Sequence, residues 1–508
     1  MKILFLYPHP AEDRRAMYRS ASRVLEDRFG HHVVFVYIGE PHEYGDDIAT
    51  EHFDSWAAEN RDLIGRTSLL DLEREFPQSN LWRSVVAQRT LADYSYIGDS
   101  FPVQHRSLEE IEFFLKSVVL FYRYVLEKYE IEVAMAHAPD VIHAHVLFEL
   151  SRSLPFFAIN QYYDPYWQKG RYPVDDVSFS SSPLRIRYEK NMREYEDRVL
   201  PYEDELEALL ARYRLDDPSR ILASQGWPTC LRSTLVASWN GLKTGWSSFT
   251  LRKVGPLEAY YRRPLGPAVK AWLVRSRNLS ARRMFRFAHA VPRRPFVLFA
   301  PHYQPEAATL AAAPVWSDML ALVRILSASL PAGYQLVVKD HPAIGGYRPM
   351  SFYREAARLP NVVLLPENYS SIELLQQCKM AATVSGTVGL QALLFGKPVL
   401  LFGQVYYDCV EGAIRPPADL NDLPMLMKNV LINGHLPSAE ERRRSLLAFA
   451  AAYRDSIQFN WHMENGTTPE ERGEGLAELI HQWIEHDLVH RRPLAAMANA
   501  TERLASFS

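Results

Sequence analysis

Apolar residues come in two rhythms along this chain. Short continuous runs alternate with longer stretches in which apolar positions recur every three or four residues. The first rhythm marks buried strands, the second helices. Ile3–Tyr7 predicts a strand. Ala11–Phe29 predicts a helix with Met17, Ala21, Val24 and Leu25 on one side and Gly30 at its end. Val33–Ile38 predicts a second strand, stopped by Gly39. Such a strand–helix–strand unit builds a parallel sheet. Leu108–Tyr129 is strongly helical in pattern. Val133–His137 and Phe156–Asn160 read as strands around a helix over Val141–Ser153. Residues 45–105 follow neither rhythm.

Beyond residue 165 the pattern changes. Leu184–Tyr213 is a charged helical stretch interrupted by Pro201, and alternating charge of this kind marks a solvated face. From Phe296 the alternation returns. Phe296–Ala300, Tyr334–Lys339, Val362–Leu365, Met380–Val384 and Pro398–Phe402 predict strands, with helices over Trp316–Leu330, Phe352–Leu359, Ser371–Cys378 and Val388–Phe395 between them. Five strands so spaced predict a doubly wound parallel sheet. The tail from Ser438 is mainly helical. The expected organisation is an α/β lobe over 1–290 with a helical insertion at about 170–290, a second Rossmann-like lobe over 291–437, and C-terminal helices over 438–508. A length of 508 residues suits two to three domains at about 150 residues each.

Composition narrows the function. Lys and Arg total 57 against 60 Asp and Glu, a net charge of -3, so nothing global points to a nucleic-acid partner. The three cysteines, Cys230, Cys378 and Cys409, form no CxxC pair, which argues against a disulfide framework or a cysteine zinc site. No stretch approaches the ~20 apolar residues of a membrane span. The setting expected is the cytoplasm. One segment qualifies this: Lys243–Arg294 is rich in Lys and Arg, with Glu258 as its one acid and Trp272, Leu273 and Phe285 among the cations. It is either an exposed basic helical face or a surface that docks anionic lipid at the inner face of the cytoplasmic membrane.

In open α/β sheets ligands sit beyond the carboxyl ends of the strands. Three predicted strand ends carry suitable groups. Pro301-His302-Tyr303-Gln304-Pro305-Glu306 offers an imidazole, an amide and a carboxylate on one loop, or else a polar turn shaped by prolines. Lys339-Asp340-His341-Pro342 places a histidine beside a lysine, with Pro342 holding it out of helical geometry. Ser385-Gly386-Thr387-Val388-Gly389 opens a helix, where free N–H groups and the helix dipole favour phosphate and where Ser385 or Thr387 can instead cap. His143 and His145 are two apart on a helix, so they face apart and give no metal signature. No metal is expected.

These three loops, with Gly396-Lys397-Pro398-Val399 and Phe402-Gly403 after them, resemble the bacterial capsular polysaccharide synthesis family, which includes retaining β-Kdo transferases. The shared marks are a Gln-Pro motif at Gln304-Pro305 and a His-Pro motif at His341-Pro342. The resemblance covers roughly 295–410. It implies a GT-B fold of two Rossmann-like lobes facing a cleft, and a nucleotide-sugar donor, CMP-Kdo being the family's best known. Gln304, Lys339, His341, Pro342, Ser385, Gly386, Thr387 and Gln391 are the expected donor-binding residues; by the resemblance His341 lies near the donor phosphate and Glu306 is the candidate nucleophile. Two positions depart from the pattern: Glu306 replaces the Asp of some branches, and Gln391 stands where Glu is expected. The acceptor expected is a surface polysaccharide or glycolipid. Asp140 and Asp164, at strand ends of the first lobe, suit a base for the acceptor hydroxyl, or a helix cap and a turn. Attack by Glu306 gives retention; a base acting alone gives inversion. A GT-B-like sugar-nucleotide epimerase and a non-catalytic glycan-binding subunit of a capsule assembly are the rival readings.

Overall fold

The computed structural model describes residues 1–6, 12–38, 48–77, 79–86, 107–137, 142–151, 154, 156–159, 173–174, 182–195, 202–204, 206–207, 210–211, 273–274, 277–304, 307–310, 313–341, 344, 346–456 and 468–490. Two six-stranded sheets organise it. The first contains β1 (Lys2–Leu6), β2 (His32–Tyr37), β3 (Ala49–His52), β4 (Val133–His137), β5 (Phe156–Ile159) and β6 (Pro173–Val174), in the order β3-β2-β1-β4-β5-β6. Its pairings are parallel except that β6 runs against β5. The second contains β7 (Phe296–Phe299), β8 (Gln335–Lys339), β9 (Val362–Leu365), β10 (Met380–Thr383), β11 (Val399–Leu401) and β12 (Ala413–Ile414), in the order β12-β11-β10-β7-β8-β9, all parallel.

Each sheet starts in its middle, winds to one edge, then returns to the other side of its first strand. That is the doubly wound order, and it opens a crevice at the reversal point, between β1 and β4 and between β7 and β10. Two such sheets in one chain are the two Rossmann-like lobes of a GT-B fold. Strands covered by helices on both faces read as unbroken apolar runs, as Phe296-Val297-Leu298-Phe299 does with all four residues buried. Register sets the level of the loops: Phe299 pairs with Val338 on one side and Ala382 on the other. The segments after β7, β8 and β10 therefore leave the sheet together.

Residues 48–86 hold β3 and four short helices, Phe53–Glu59, Arg61–Arg66, Leu69–Glu75 and Leu81–Val86. Each is too short to establish a 3.6-residue period, so the sequence showed neither rhythm there. Their apolar residues Phe53, Trp56, Ile64, Leu72, Leu81 and Val85 are buried in the first lobe's core. Within the charged stretch, Ser182–Arg193 forms a helix, and helical residues recur among the described positions of 203–211. The short strands β6 and β12 were not apparent from the sequence.

The last two helices return to earlier parts of the chain. Pro469–His490 lies along Glu12–Phe29, and its Leu476, Ile480, Trp483 and Ile484 share a core with Ile3, Phe5, Tyr18 and Phe35. Gly473 allows the contact: a Cβ there would stand 2.6 Å from the Met17 carbonyl oxygen. Ala439–Ser456 packs on Ser182–Arg193, where Tyr188 Oη meets Ser445 Oγ at 2.8 Å and Asn191 Nδ2 donates to the Ala448 carbonyl at 3.1 Å. Asp408 pairs with Arg185 and with Arg415. Among the described residues, no helix is long and apolar enough to cross a membrane.

Candidate active site in the second lobe

The loops that leave β7, β8 and β10 are joined by one buried network, and its hub is Arg348. The Arg348 side chain is 4% exposed and that of Asp340 3%, so neither charge has water to fall back on. Arg348 Nε donates to Asp340 Oδ2 at 2.7 Å, and Nη2 donates to Asp340 Oδ1 at 3.0 Å. The same Nη2 donates to the His302 carbonyl at 2.6 Å, and Nη1 reaches Gln304 Oε1 at 3.5 Å. Tyr353 Oη donates to Asp340 Oδ2 at 2.6 Å, and the His341 amide donates to Asp340 Oδ1 at 2.9 Å. A planar guanidinium with this fork fixes two loops at once, which a lysine cannot do.

Electrostatics agree with that geometry. Burial works to raise the Asp340 carboxyl, but the Arg348 guanidinium and the Tyr353 hydroxyl hold it below the ordinary carboxylate value. Burial and the Asp340 charge push the Tyr353 phenol well up, so it stays a donor. Asp340 is thus a fixed anion that sets the backbone of His341, while the His341 side chain emerges into solvent with its ring 5.9 Å from that of Tyr303.

His302 carries the network to the third loop. Its Nε2 accepts from the Ser385 amide at 3.1 Å and lies 3.3 Å from Thr383 Oγ1. The imidazole therefore sits in the crevice between β7 and β10. Two glycines permit the close packing. A Cβ on Gly386 would stand 2.9 Å from Thr383 Oγ1, and one on Gly389 would stand 2.3 Å from Tyr407 Oη. That hydroxyl donates to the Gly386 carbonyl.

Gln304, Lys339, His341, Ser385, Gly386 and Thr387 are thus brought to neighbouring strand ends. Their individual placements differ. The Lys339 ammonium is buried and donates to Ser371 Oγ at 2.8 Å, and Gln304 Nε2 donates to the Ser317 carbonyl at 2.7 Å. Ser385 Oγ donates to the Ala308 carbonyl at 3.1 Å, so this serine does not cap the following helix. The helix Thr387–Leu394 has Gly386 as its N-cap, with no side-chain cap from Thr387 either. Thr387 is exposed, and Gln391 is half-buried one turn in. The first-turn amides of Thr387 and Val388 have no acceptor within the helix. Glu306, Pro342, Asp140 and Asp164 lie outside the described residues, as does most of 243–294.

Arg348, Tyr353 and Tyr407 were not singled out by sequence reasoning. Arg348 follows Gly345-Gly346-Tyr347 in a loop without periodicity, and a buried arginine has no sequence mark of its own. His143 and His145 are structural among the described residues: His143 is buried against Phe53 and Phe114, which pushes its imidazole down to about 3, and His145 Nδ1 lies 3.1 Å from Ser84 Oγ.

Residues 277–412 match the family model described as capsule polysaccharide biosynthesis protein. The chain is similar to Protein FixF of Sinorhizobium fredii (strain NBRC 101917 / NGR234), 31% identical over 121 residues. That match spans 23% of this chain and only about a quarter, 27%, of the relative. Among solved structures, the Thermosulfurimonas dismutans KpsC β-Kdo 2,7 transferase is 12% identical, covers 74% of this chain and 97% of its own, and gives a TM-score of 0.30. The UDP-GlcNAc 2-epimerase of Neisseria meningitidis is 10% identical, with 95% and 99% covered and a TM-score of 0.23. The matched span takes in His302, Gln304, Asp340, His341, Arg348, Tyr353, Ser385 and Tyr407, and over that span the second lobe is similar to the capsule polysaccharide biosynthesis proteins.

Proposed function

We propose that this protein is a glycosyltransferase that takes a sugar from a nucleotide donor held at the second lobe and passes it to a surface polysaccharide or glycolipid. The observation that carries this reading is the network that ties the β7, β8 and β10 loops together at the reversal point of a doubly wound sheet, inside the span that matches the family. Ligands of such sheets bind at that point. The exposed His341 imidazole and the Thr387 and Val388 amides suit the phosphate of a departing nucleotide, whose charge is best met by donors fixed in advance. The buried Lys339 ammonium, at the end of β8, adds positive charge nearby.

In this reading the donor is a CMP-linked acidic sugar such as CMP-Kdo. Glu306 attacks the anomeric carbon, and the bond to the phosphate oxygen breaks as CMP leaves. The acceptor hydroxyl then displaces Glu306, giving its proton to Asp140 or Asp164, and two displacements retain configuration. The epimerase reading would need no acceptor site. Calorimetry with CMP, UDP, GDP and CDP tests the donor: preference for CMP is expected, and indifference to all four overturns the proposal. Glu306→Ala is expected to abolish transfer while leaving CMP affinity in place; near-normal turnover rules out that nucleophile.

A further inference from the structure

A groove of about 560 Å³ opens between the two lobes, and nothing in the donor site uses it. Its first-lobe wall is the helix Leu81–Val86 and the residue before it, presenting Asn80, Trp82 and Arg83. Its second-lobe wall presents Trp316, Phe402 and Gln404. The volume lies within the range of ligand pockets and leaves room for more than one pyranose ring.

The chemistry of the wall is specific. Trp82 is 41% exposed, an unusual loss of buried apolar surface for the largest residue. Trp316 is half-buried against Phe402, ring centroids 5.1 Å apart. Around these rings stand two amides, Asn80 and Gln404, both exposed, and the guanidinium of Arg83; Asn80 Oδ1 accepts from the Arg83 amide at 3.0 Å, so it is the Asn80 Nδ2 that is offered to a ligand. Flat apolar faces flanked by planar amide and guanidinium groups match a pyranose ring, which has a C–H face and a rim of hydroxyls that both donate and accept. Arg83 does not call for an anion, because the buried Glu149 carboxylate lies 4.0 Å away and offsets its charge.

The groove adjoins the donor loops through two direct links. Gly403, on its floor, donates its amide to the Val384 carbonyl at 2.8 Å, one residue before Ser385. A Cβ on Gly403 would stand 3.0 Å from Val384 Cγ1 and 3.1 Å from the Ala313 Cβ, so the glycine lets these segments pack closely. Gln304, of the Gln-Pro motif, donates to the carbonyl of Ser317, the residue after Trp316.

We propose that this groove is a saccharide subsite for the acceptor, with Trp82 and Trp316 as stacking faces and Asn80, Arg83 and Gln404 reading ring hydroxyls. The inference rests on the transferase reading for the word acceptor, but not for saccharide binding itself. Half the wall comes from the lobe that does not carry the donor loops, which is why the acceptor and not the donor is assigned to it.

The test is saturation-transfer NMR on the full chain with chitobiose, maltotriose and a glucuronate-containing disaccharide at millimolar concentration, beside calorimetry with CMP. Saturation transfer to ring protons of at least one probe is expected. Trp82→Ala should weaken that binding about tenfold, the loss of roughly 1.4 kcal/mol, while Trp82→Phe keeps most of it and CMP affinity stays unchanged in both. Trp82 is half-exposed, so these variants keep the fold. No transfer to any of the three probes, or transfer undiminished in Trp82→Ala, overturns the inference. So does a Trp82→Ala loss that falls on CMP affinity, which would give the groove to the donor. Saccharide binding by a parent chain that ignores every nucleotide would leave the subsite standing and remove the donor reading.

Discussion

Replacing Arg348 by Met removes the hub of the network and leaves a carboxylate behind. Asp340 would lose two charge-assisted hydrogen bonds, at 2.7 and 3.0 Å, and keep only the Tyr353 hydroxyl and the His341 amide. The His302 carbonyl would lose its 2.6 Å donor as well. Breaking a buried pair from one side costs about 3–5 kcal/mol, most of it the price of an uncompensated charge. Arg348→Met is therefore expected to destabilise by about that much at pH 7, and Asp340→Asn/Arg348→Met by roughly 2 kcal/mol or less, since no bare charge remains. The pH dependence follows from the sign of the shift. In the native chain Asp340 is held below its ordinary value, so its contribution is present above roughly pH 4 and is lost as pH falls through the depressed folded value. Without Arg348, burial raises the carboxyl instead, and mild acid lets it go neutral. The Arg348→Met penalty should then shrink between pH 7 and pH 5. Urea unfolding followed by tryptophan fluorescence at both pH values reads these differences. Arg348→Lys, which keeps the charge and loses the fork, covers the case in which Arg348→Met does not fold. A penalty under about 1 kcal/mol for both single variants, or one equally large in the double variant, would refute the reasoning.

Three further outcomes are expected. Gly389→Ala pushes a methyl into Tyr407 Oη and should displace the hydroxyl from the Gly386 carbonyl, costing about 1–3 kcal/mol and weakening CMP binding in calorimetry; an unchanged melting curve would contradict this. The His143 imidazole, pushed down by burial to about 3, makes the unfolded chain bind a proton the native chain does not. Stability should fall as pH drops from about 6.5, by roughly 2 kcal/mol at pH 5, and His143→Phe should flatten that slope in urea titrations at pH 7 and 5; an unaltered slope removes the assignment. Lastly, the basic segment 243–294 is expected to bring the chain down with anionic liposomes at low salt and release it at high salt. Sedimentation that salt does not alter would reject electrostatic docking.

Some of this was written in the chain itself. The short apolar runs within β7 to β11 follow from burial in a parallel sheet covered on its faces, and local composition suffices to find them. Gln304, His341 and Ser385 could be picked because each follows such a run, and strand ends are where doubly wound sheets bind. What the sequence could not supply was partnership. That Arg348 holds Asp340 and the His302 carbonyl, and that His302 fills the gap beside Ser385, depends on β7 lying between β8 and β10, an order that no local pattern encodes. The same holds for Trp82 and Trp316, 234 positions apart in the chain and on one groove in space. Periodicity reports which face of an element is buried. Only the packing of elements decides which charges, rings and carbonyls meet, because those contacts are made across strand neighbours and not along the chain.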